Sequence, residues 1–379
     1  MRYARRQAKK LRKMQLNHIK ICNFKNIALA ELQFSPKVNC FLGNNGMGKS
    51  NLLDAIYYLS SCKSFTGMTD SMLICRGEDF TMVQADYLRR GVDEELLLGM
   101  NRGRRKSLKR KGKEYPRLSA HIGAFPLVLS SPHDIDLIRG AGEERRRFID
   151  MIISQSDPIY LDRLIRYNKL LEQRNRLLRD HSADLNLLAS LEFPMDAAAA
   201  YITDARRQRI AQLSEIFNKY YAAIAGTDTD ELVQLRYDSD SDTPLADLFE
   251  QNRRRDEILG HTTVGPHRDD IEMMLNDLPM RKAASQGQCK TYVIALRLAQ
   301  YEFLRDATGI LPMLLLDDIF DKLDASRVEN IMQIVARDNF GQIFITDTNR
   351  THLDEIISHT GGDHRMWLVE SGALSPLHQ

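Results

Sequence analysis

Apolar and polar positions fall into two different rhythms along this chain. Leu16-Asn17-His18-Ile19-Lys20-Ile21 alternates with period two, the mark of a strand with one buried face. Val38-Asn39-Cys40-Phe41-Leu42 is a short apolar run that reads as a buried strand, and the spacing in Asn51-Leu52-Leu53-Asp54-Ala55-Ile56 is helical. Residues 14–60 therefore predict strand, turn, strand, loop, helix. Two β-like runs follow at 82–88 and 96–98, and Lys111-Gly112-Lys113 predicts a hairpin turn. From about 143 to 225 the period changes. Tyr160, Leu164, Tyr167, Leu171 and Leu178 keep a three/four spacing interrupted by Arg174, and Ile210, Leu213, Phe217, Tyr220 and Ile224 repeat it. These two helices are expected to join through the Leu191 to Pro194 region. They form either a short arm or a layer packed flat on the core. Residues 226–247 are acidic and polar, with an exposed loop expected over 238–244, and mixed β/α character returns after about 260.

The pattern predicts an α/β fold interrupted by a helical insertion. Its expected parts are a basic extension at 1–13, an N-terminal half at 14–142, a helical lobe or short arm at 143–260, and a C-terminal half at 261–379. The 379 residues suit about two domains. No apolar run approaches the roughly 20 residues of a membrane span, and no apolar segment follows the basic start as in a secretion signal. The five cysteines are odd in number and lack Cys-x-x-Cys spacing, which points to reduced thiols in the cytoplasm and no structural zinc. Residues 1–13 carry seven lysines and arginines and no acid. They are expected to be disordered without DNA, with Met14 a candidate initiator.

Net charge is only +2, yet cations are clustered. Besides the N-terminus, basic groups crowd 102–113, Arg145-Arg146-Arg147, Arg206-Arg207-Arg209 and Arg253-Arg254-Arg255. Such runs suit an anionic polymer or a solvated face. For Arg145 to Arg147, structural ion pairing and DNA contact are both open. With one Trp and no aromatic platform, any nucleic-acid binding should be electrostatic and indifferent to sequence.

The sharpest chemistry lies in Gly43-Asn44-Asn45-Gly46-Met47-Gly48-Lys49-Ser50, a complete G-x-x-x-x-G-K-S pattern between the predicted strand and helix. Glycines let backbone N–H groups curl around phosphate oxygens, and the helix adds its positive end. Lys49 can reach the β- and γ-phosphates of ATP, and the Ser50 hydroxyl can ligate Mg²⁺. Leu314-Leu315-Leu316-Asp317-Asp318 is an apolar strand ending in two carboxylates. Asp317 is the candidate metal ligand, and Asp318 stands where a general base would orient water. Ser285-Gln286-Gly287-Gln288 opens an amphipathic helix upstream of that strand, a second arrangement able to meet an anion.

This order resembles the ABC-type ATPases, in which the signature serine, here Ser285 with Gly287 and Gln288, contacts a γ-phosphate held by the opposite subunit. Asp321-Lys322-Leu323-Asp324 matches their D-loop. The His usual after the next strand, Ile343-Phe344-Ile345-Thr346, is absent, and Asp347 and Thr348 stand there with His352 further on. No glutamine is placed as a Q-loop residue.

Three longer strings narrow the resemblance: Asn23-Phe24-Lys25-Asn26; Leu129-Ser130-Ser131-Pro132-His133-Asp134 with the following Glu144-Arg145-Arg146-Arg147-Phe148-Ile149-Asp150; and Gly265-Pro266-His267-Arg268-Asp269-Asp270. Together with the form of the signature they resemble the RecF family of SMC-like bacterial recombination mediators, from residue 14 to about 370. His133 and Cys289 are mild departures from the family pattern. The resemblance implies an ABC-type P-loop ATPase head with a helical second lobe and no long coiled coil. It implies slow ATP hydrolysis, an ATP-dependent homodimer, and binding to double-stranded DNA near gap junctions. The implied partners are RecR and RecO, which place RecA on gapped DNA in repair, replication and the SOS response. An ABC transporter subunit would require the switch His, and a long-coil SMC protein an insertion of hundreds of residues with a Cys-x-x-Cys hook. Neither feature is in this sequence.

Overall fold

The computed structural model describes residues 12–180, 184–226, 231–240, 243–321, 323–360 and 363–377. Most of the basic extension, residues 1–11, lies outside them. Arg12 lies within them: its backbone bridges Ile310, with Arg12 N donating to Gly309 O at 3.2 Å.

The chain divides into two compact units. The first comprises residues 1–134, 220–227 and 286–379. It opens with β1 (Met14–Phe24), β2 (Ile27–Gln33), β3 (Val38–Leu42) and α1 (Lys49–Ser61), followed by β4 (Phe80–Arg89), β5 (Val92–Asn101), β6 (Ser107–Arg110), β7 (Lys113–Glu114) and β8 (Leu127–Ser130). The second unit, 135–219 and 228–285, holds α2 (Asp136–Arg139), α3 (Gly142–Ser156), α4 (Pro158–Arg179) and most of α5 (Leu185–Ala225). It continues with β9 (Val233–Asp238), α6 (Leu245–Leu259), β10 (Asp270–Leu275), β11 (Leu278–Pro279) and α7 (Met280–Ala283). The chain returns to the first unit with α8 (Gln286–Thr308), β12 (Met313–Asp317), α9 (Ala325–Val335), β13 (Ile343–Asp347), α10 (Arg350–Thr360), β14 (His364–Glu370) and β15 (Ala373–Pro376).

In the first unit, strand burial follows sequence pattern. β1 and β4 alternate between buried and partly exposed positions and lie in an antiparallel sheet of order β2-β1-β4-β5-β6-β7. β12 and β13 are buried at every residue and sit inside a sheet of order β15-β14-β3-β13-β12-β8, where β14, β3, β13, β12 and β8 run parallel. Their continuous apolar runs are what burial on both faces demands. One apolar core joins the two sheets through α1, with Leu52, Leu53, Ile56 and Leu59 meeting Ile19, Leu96, Leu127 and Leu315. The predicted hairpin at Lys111-Gly112 connects β6 and β7. β2 is an additional strand, paired with β1 across the turn at Lys25 and Asn26.

The second unit comprises 135–219 and 228–285, beside the 143–260 expected for the helical lobe. A small sheet, β11-β10-β9, keeps 270–279 with the helices. β9 lies in the acidic, polar segment just ahead of the loop expected over 238–244. The helix junction also differs. α4 ends at Arg179 and α5 begins at Leu185, so Pro194 lies inside α5. Pro194 forfeits one backbone hydrogen bond, but buried Leu188, Met195 and Ala198 hold the helix on both sides of it. α4 is capped by Asp157, whose carboxylate accepts from Ile159 N and Tyr160 N, both at 3.0 Å, with Pro158 at the first helical position.

Arg174 explains its own interruption of the apolar stripe. It is fully buried, donating Nε to Glu192 at 2.9 Å and Nη1 to Asp256 at 2.8 Å and to Thr262 Oγ1 at 2.8 Å, over the Phe249 ring. The Gly265-to-Asp270 string forms a second network. Arg206 grips Asp150 through Nε (2.9 Å) and Nη2 (3.0 Å) and donates Nη1 to Pro266 O at 2.6 Å. Tyr237 OH donates to Asp269, and Tyr167 OH lies 2.8 Å from His267 Nδ1. Gly265 has φ +111°, and a Cβ there would stand 2.7 Å from Tyr167 OH.

Candidate nucleotide-binding site

The parallel sheet brings the carboxyl ends of β14, β3, β13, β12 and β8 to one edge, where α/β sheets place ligands. The loop 43–50 leaves β3 at that edge and enters α1. Its crown, Asn44, Asn45 and Gly46, is exposed, whereas Lys49 is buried. Gly46 and Gly48 hold φ +82° and +107°. A Cβ on Gly48 would lie 2.7 Å from Asn26 Nδ2, and one on Gly43 2.4 Å from Val369 O, so both glycines are required by close approach. Met47 O accepts from Gly372 N at 2.8 Å, tying the loop to the β14–β15 turn.

Within the loop Lys49 Nζ donates to Gly43 O at 2.6 Å and Asn44 O at 3.1 Å. Burial lowers its pKa, against the raising influence of Asp318, Asp317 and Asp347. Ser50 Oγ donates to Asp317 Oδ1 at 2.9 Å, and Thr346 Oγ1 donates to the same oxygen at 2.7 Å. Burial raises the Asp317 pKa, the Thr346 and Ser50 hydrogen bonds oppose this, and Asp318 adds to it. Asp318 has φ +49°, and its N–H meets Thr346 O at 3.2 Å and Oγ1 at 3.1 Å. Its pKa is raised by burial and then by Asp347. A hydroxyl and a crowded carboxylate at this spacing fit a hard divalent cation, which would relieve the repulsion. Gly43, Gly48, Lys49, Ser50, Asp317 and Asp318 thus converge as their spacing predicts.

Ser285 is exposed directly before α8, and Gly287 and Gln288 occupy its first turn. Lys290, in the next turn, donates to Ile319 O at 3.1 Å and to Asp321 O, while Arg327 Nη1 reaches Thr291 Oγ1 at 2.8 Å. These bonds fasten α8 to the segment following β12. Asp324 caps α9 through Arg327 N at 2.9 Å. Lys322 lies outside the described residues.

Several residues of the site carried no separate role in the sequence. Asn26 accepts from Asn51 Nδ2 at 2.7 Å and flanks Gly48. Lys25 Nζ pairs with buried Asp54 at 2.6 Å. The opening Asn23-Phe24-Lys25-Asn26 string was the available signal. Thr346 and Asp347 were legible only as the end of an apolar strand. His352, in the first turn of α10, places Nδ1 3.0 Å from Asp347 Oδ2, bringing an imidazole to a strand end that lacks one in sequence.

The two readings of Arg145-Arg146-Arg147 separate here. Arg145 is bidentate to Asp270 (2.7 and 2.8 Å) and Arg146 Nη1 donates to Asp269 O at 2.7 Å, both within the second unit. Arg147 pairs with Glu143 and Glu144. Arg145 and Arg146 are structural, whereas Arg147 is exposed on α3.

No helix among the described residues is long and apolar enough to cross a membrane. Residues 14–95 match the AAA ATPase domain family. The DNA replication and repair protein RecF of Parabacteroides distasonis is 50% identical over 97% of this chain and 100% of its own length. The protein of that name from Porphyromonas gingivalis is 46% identical over 95% of this chain and 100% of its own. Among solved structures, the recombination mediator protein RecF with ATP, described as part of the RecFOR pathway, aligns with TM-score 0.87 and 28% identity, covering 99% of this chain and all of that one. A Pyrococcus furiosus Smc head domain shares the fold, at TM-score 0.57 and 16% identity. On these grounds the chain belongs to the RecF family of DNA replication and repair proteins, built on the ABC-type ATPase head shared with SMC proteins.

Proposed function

We propose that this protein is an ATP-switched, DNA-binding recombination mediator that binds duplex DNA near single-strand gaps and assists RecA loading with RecR and RecO. The observation that carries the nucleotide part is the Ser50–Asp317 hydrogen bond of 2.9 Å beside a buried Lys49. It joins a phosphate-binding loop to a metal-type carboxylate at one sheet edge. Lys49 exchanges its bonds to Gly43 O and Asn44 O for the β- and γ-phosphates of ATP. Ser50 and Asp317 would hold Mg²⁺, which when bound neutralises phosphate charge and orients the γ-phosphoryl group. Asp318, beside Asp317, orients the attacking water.

Ser285, Gly287 and Gln288 open α8 and would complete the site of a second protomer. Two symmetric sites follow from an isologous dimer. ATP then makes contacts that only the closed dimer offers, the condition for a ligand to shift an association equilibrium. Asp318 is shorter than the glutamate common at this position in ABC ATPases, which suits slow turnover and a timer on DNA.

Sizing the protein with and without ATP and duplex DNA tests this reading. ATP is expected to shift wild type to a dimer and duplex to add further mass. Ser285→Arg should keep ATP binding by the monomer and lose the ATP-induced dimer. Normal dimerisation of Ser285→Arg would overturn the shared site, and failure of wild type to bind duplex would overturn the DNA assignment.

A further inference from the structure

Resting on that reading, we infer that duplex DNA is met by the β5–β6 end of the antiparallel sheet, through Arg104, Arg105 and Arg76, with Lys63 beside them. The pairing of cations narrows the choice to this surface and to exposed Arg254 and Arg255 of the second unit, and the braced turn favours the first. In the second unit, Arg145 is consumed by Asp270, Arg206 by Asp150 and Arg253 by Glu192. The run 102–113 is divided as well. Arg110 and Lys111 are held by Glu94, at the end of the sheet that also carries Asp86, Asp93 and Glu95.

The opposite end has the reverse balance. Arg104 and Arg105 are exposed in the turn between β5 and β6, and neither has a carboxylate within 4.0 Å among the described residues. Neighbouring segments are bonded to this turn. Arg102 N donates to Asp79 O at 2.8 Å and Arg102 Nη2 to Glu78 O at 3.0 Å, next to exposed Arg76. Lys106 Nζ donates to Cys62 O at 2.5 Å and Asp70 Oδ1 at 2.8 Å, next to exposed Lys63. Arg102 and Lys106 thus fasten the β5–β6 turn to the segments that carry Arg76 and Lys63. Asp70, Glu78 and Asp79 are the acids of these segments, fewer than the cations Lys63, Arg76, Arg102, Arg104, Arg105 and Lys106. Exposed, unpaired guanidinium groups on a braced turn suit phosphate oxygens, whose counterions they displace. The turn carries no aromatic group for base stacking, which fits contact with the duplex backbone.

The test uses the full-length chain carrying Arg76→Ala, Arg104→Ala and Arg105→Ala together, and a blunt duplex of mixed sequence over a range of salt concentrations. Arg102 and Lys106 stay unchanged because they brace the turn. The variant should bind the duplex about tenfold or more weaker at moderate salt, and its log K against log[salt] slope should flatten by about two to three, near 0.9 per lost phosphate contact. ATP binding should match wild type, which establishes folding. The Arg76→Lys, Arg104→Lys, Arg105→Lys variant should restore the slope, and Arg254→Ala with Arg255→Ala should leave it unchanged. Wild-type affinity and slope in the triple alanine variant would overturn this surface while leaving duplex binding intact. Absence of duplex binding by wild type would overturn the functional reading itself.

Discussion

In the second unit Arg174 and Arg206 are each enclosed by the groups that neutralise them, whereas in the first unit Asp317, Asp318 and Asp347 crowd around a lysine that bonds none of them. Lys49 is turned to two backbone carbonyls, and no ion pair within 4.0 Å joins it to those carboxylates among the described residues. Burial and mutual repulsion raise the pKa values of Asp317 and Asp318. Around Arg206, burial alone would lower the guanidinium pKa, yet Asp150, Tyr160, Tyr237 and Asp269 hold it well above the usual value. Both regions bury charge at a desolvation cost. One answers it within the chain, as a structural network must, and the other keeps excess negative charge where a divalent cation fits.

The largest way to break this contrast is Arg174→Ala. It strands Glu192 and Asp256 in the interior, and the second unit should lose about 3–5 kcal/mol, read as accelerated hydrogen exchange in α4 to α6 while ATP binding persists. A loss below about 1 kcal/mol would mean that the network is not what holds these helices.

Acid should weaken both units. Burial, opposed only in part by a hydrogen bond to a backbone carbonyl, pushes His121 in the first unit and His267 in the second down to about 4. Each folded pKa lies below the unfolded one, so the unfolded chain binds more protons between pH 6.5 and 4. Stability is therefore present above about 6.5 and is lost as pH falls toward 4, by up to about 3 kcal/mol per histidine. Urea midpoints measured across that range check it, and His267→Gln should remove the second unit's share of the slope.

Lys49→Met should leave folding within about 1 kcal/mol but weaken ATP about 10- to 100-fold, as expected for a lost charge-assisted contact, measured by titration with a fluorescent ATP analogue. The smallest effect belongs to Asp318→Asn. Removing one of several repelling carboxylates should leave melting unchanged or slightly raised, within about 0.5 kcal/mol, whereas ATP hydrolysis should fall. Destabilisation comparable to that of Arg174→Ala would erase the distinction between the two regions.

What the sequence determined by itself was whatever depends on local order. The strand, loop and helix around 43–50 were legible because backbone N–H geometry demands those glycines at that spacing. β12 and β13 were legible because burial on both faces leaves a continuous apolar run. The order of motifs was enough to identify the family.

Tertiary structure decided whatever depends on partners distant in sequence. Arg174 read as a break in an apolar stripe until Glu192 and Asp256 enclosed it. Arg145 could have faced DNA until β10 supplied Asp270. Pro194 looked like a helix end, but burial on both sides outweighs one missing hydrogen bond. His352 met Asp347 only because the first turn of α10 folds back on the end of β13. A charge or a proline shows its type in sequence. Its partners, and so its burial and energy, are set only when segments far apart in the chain come together.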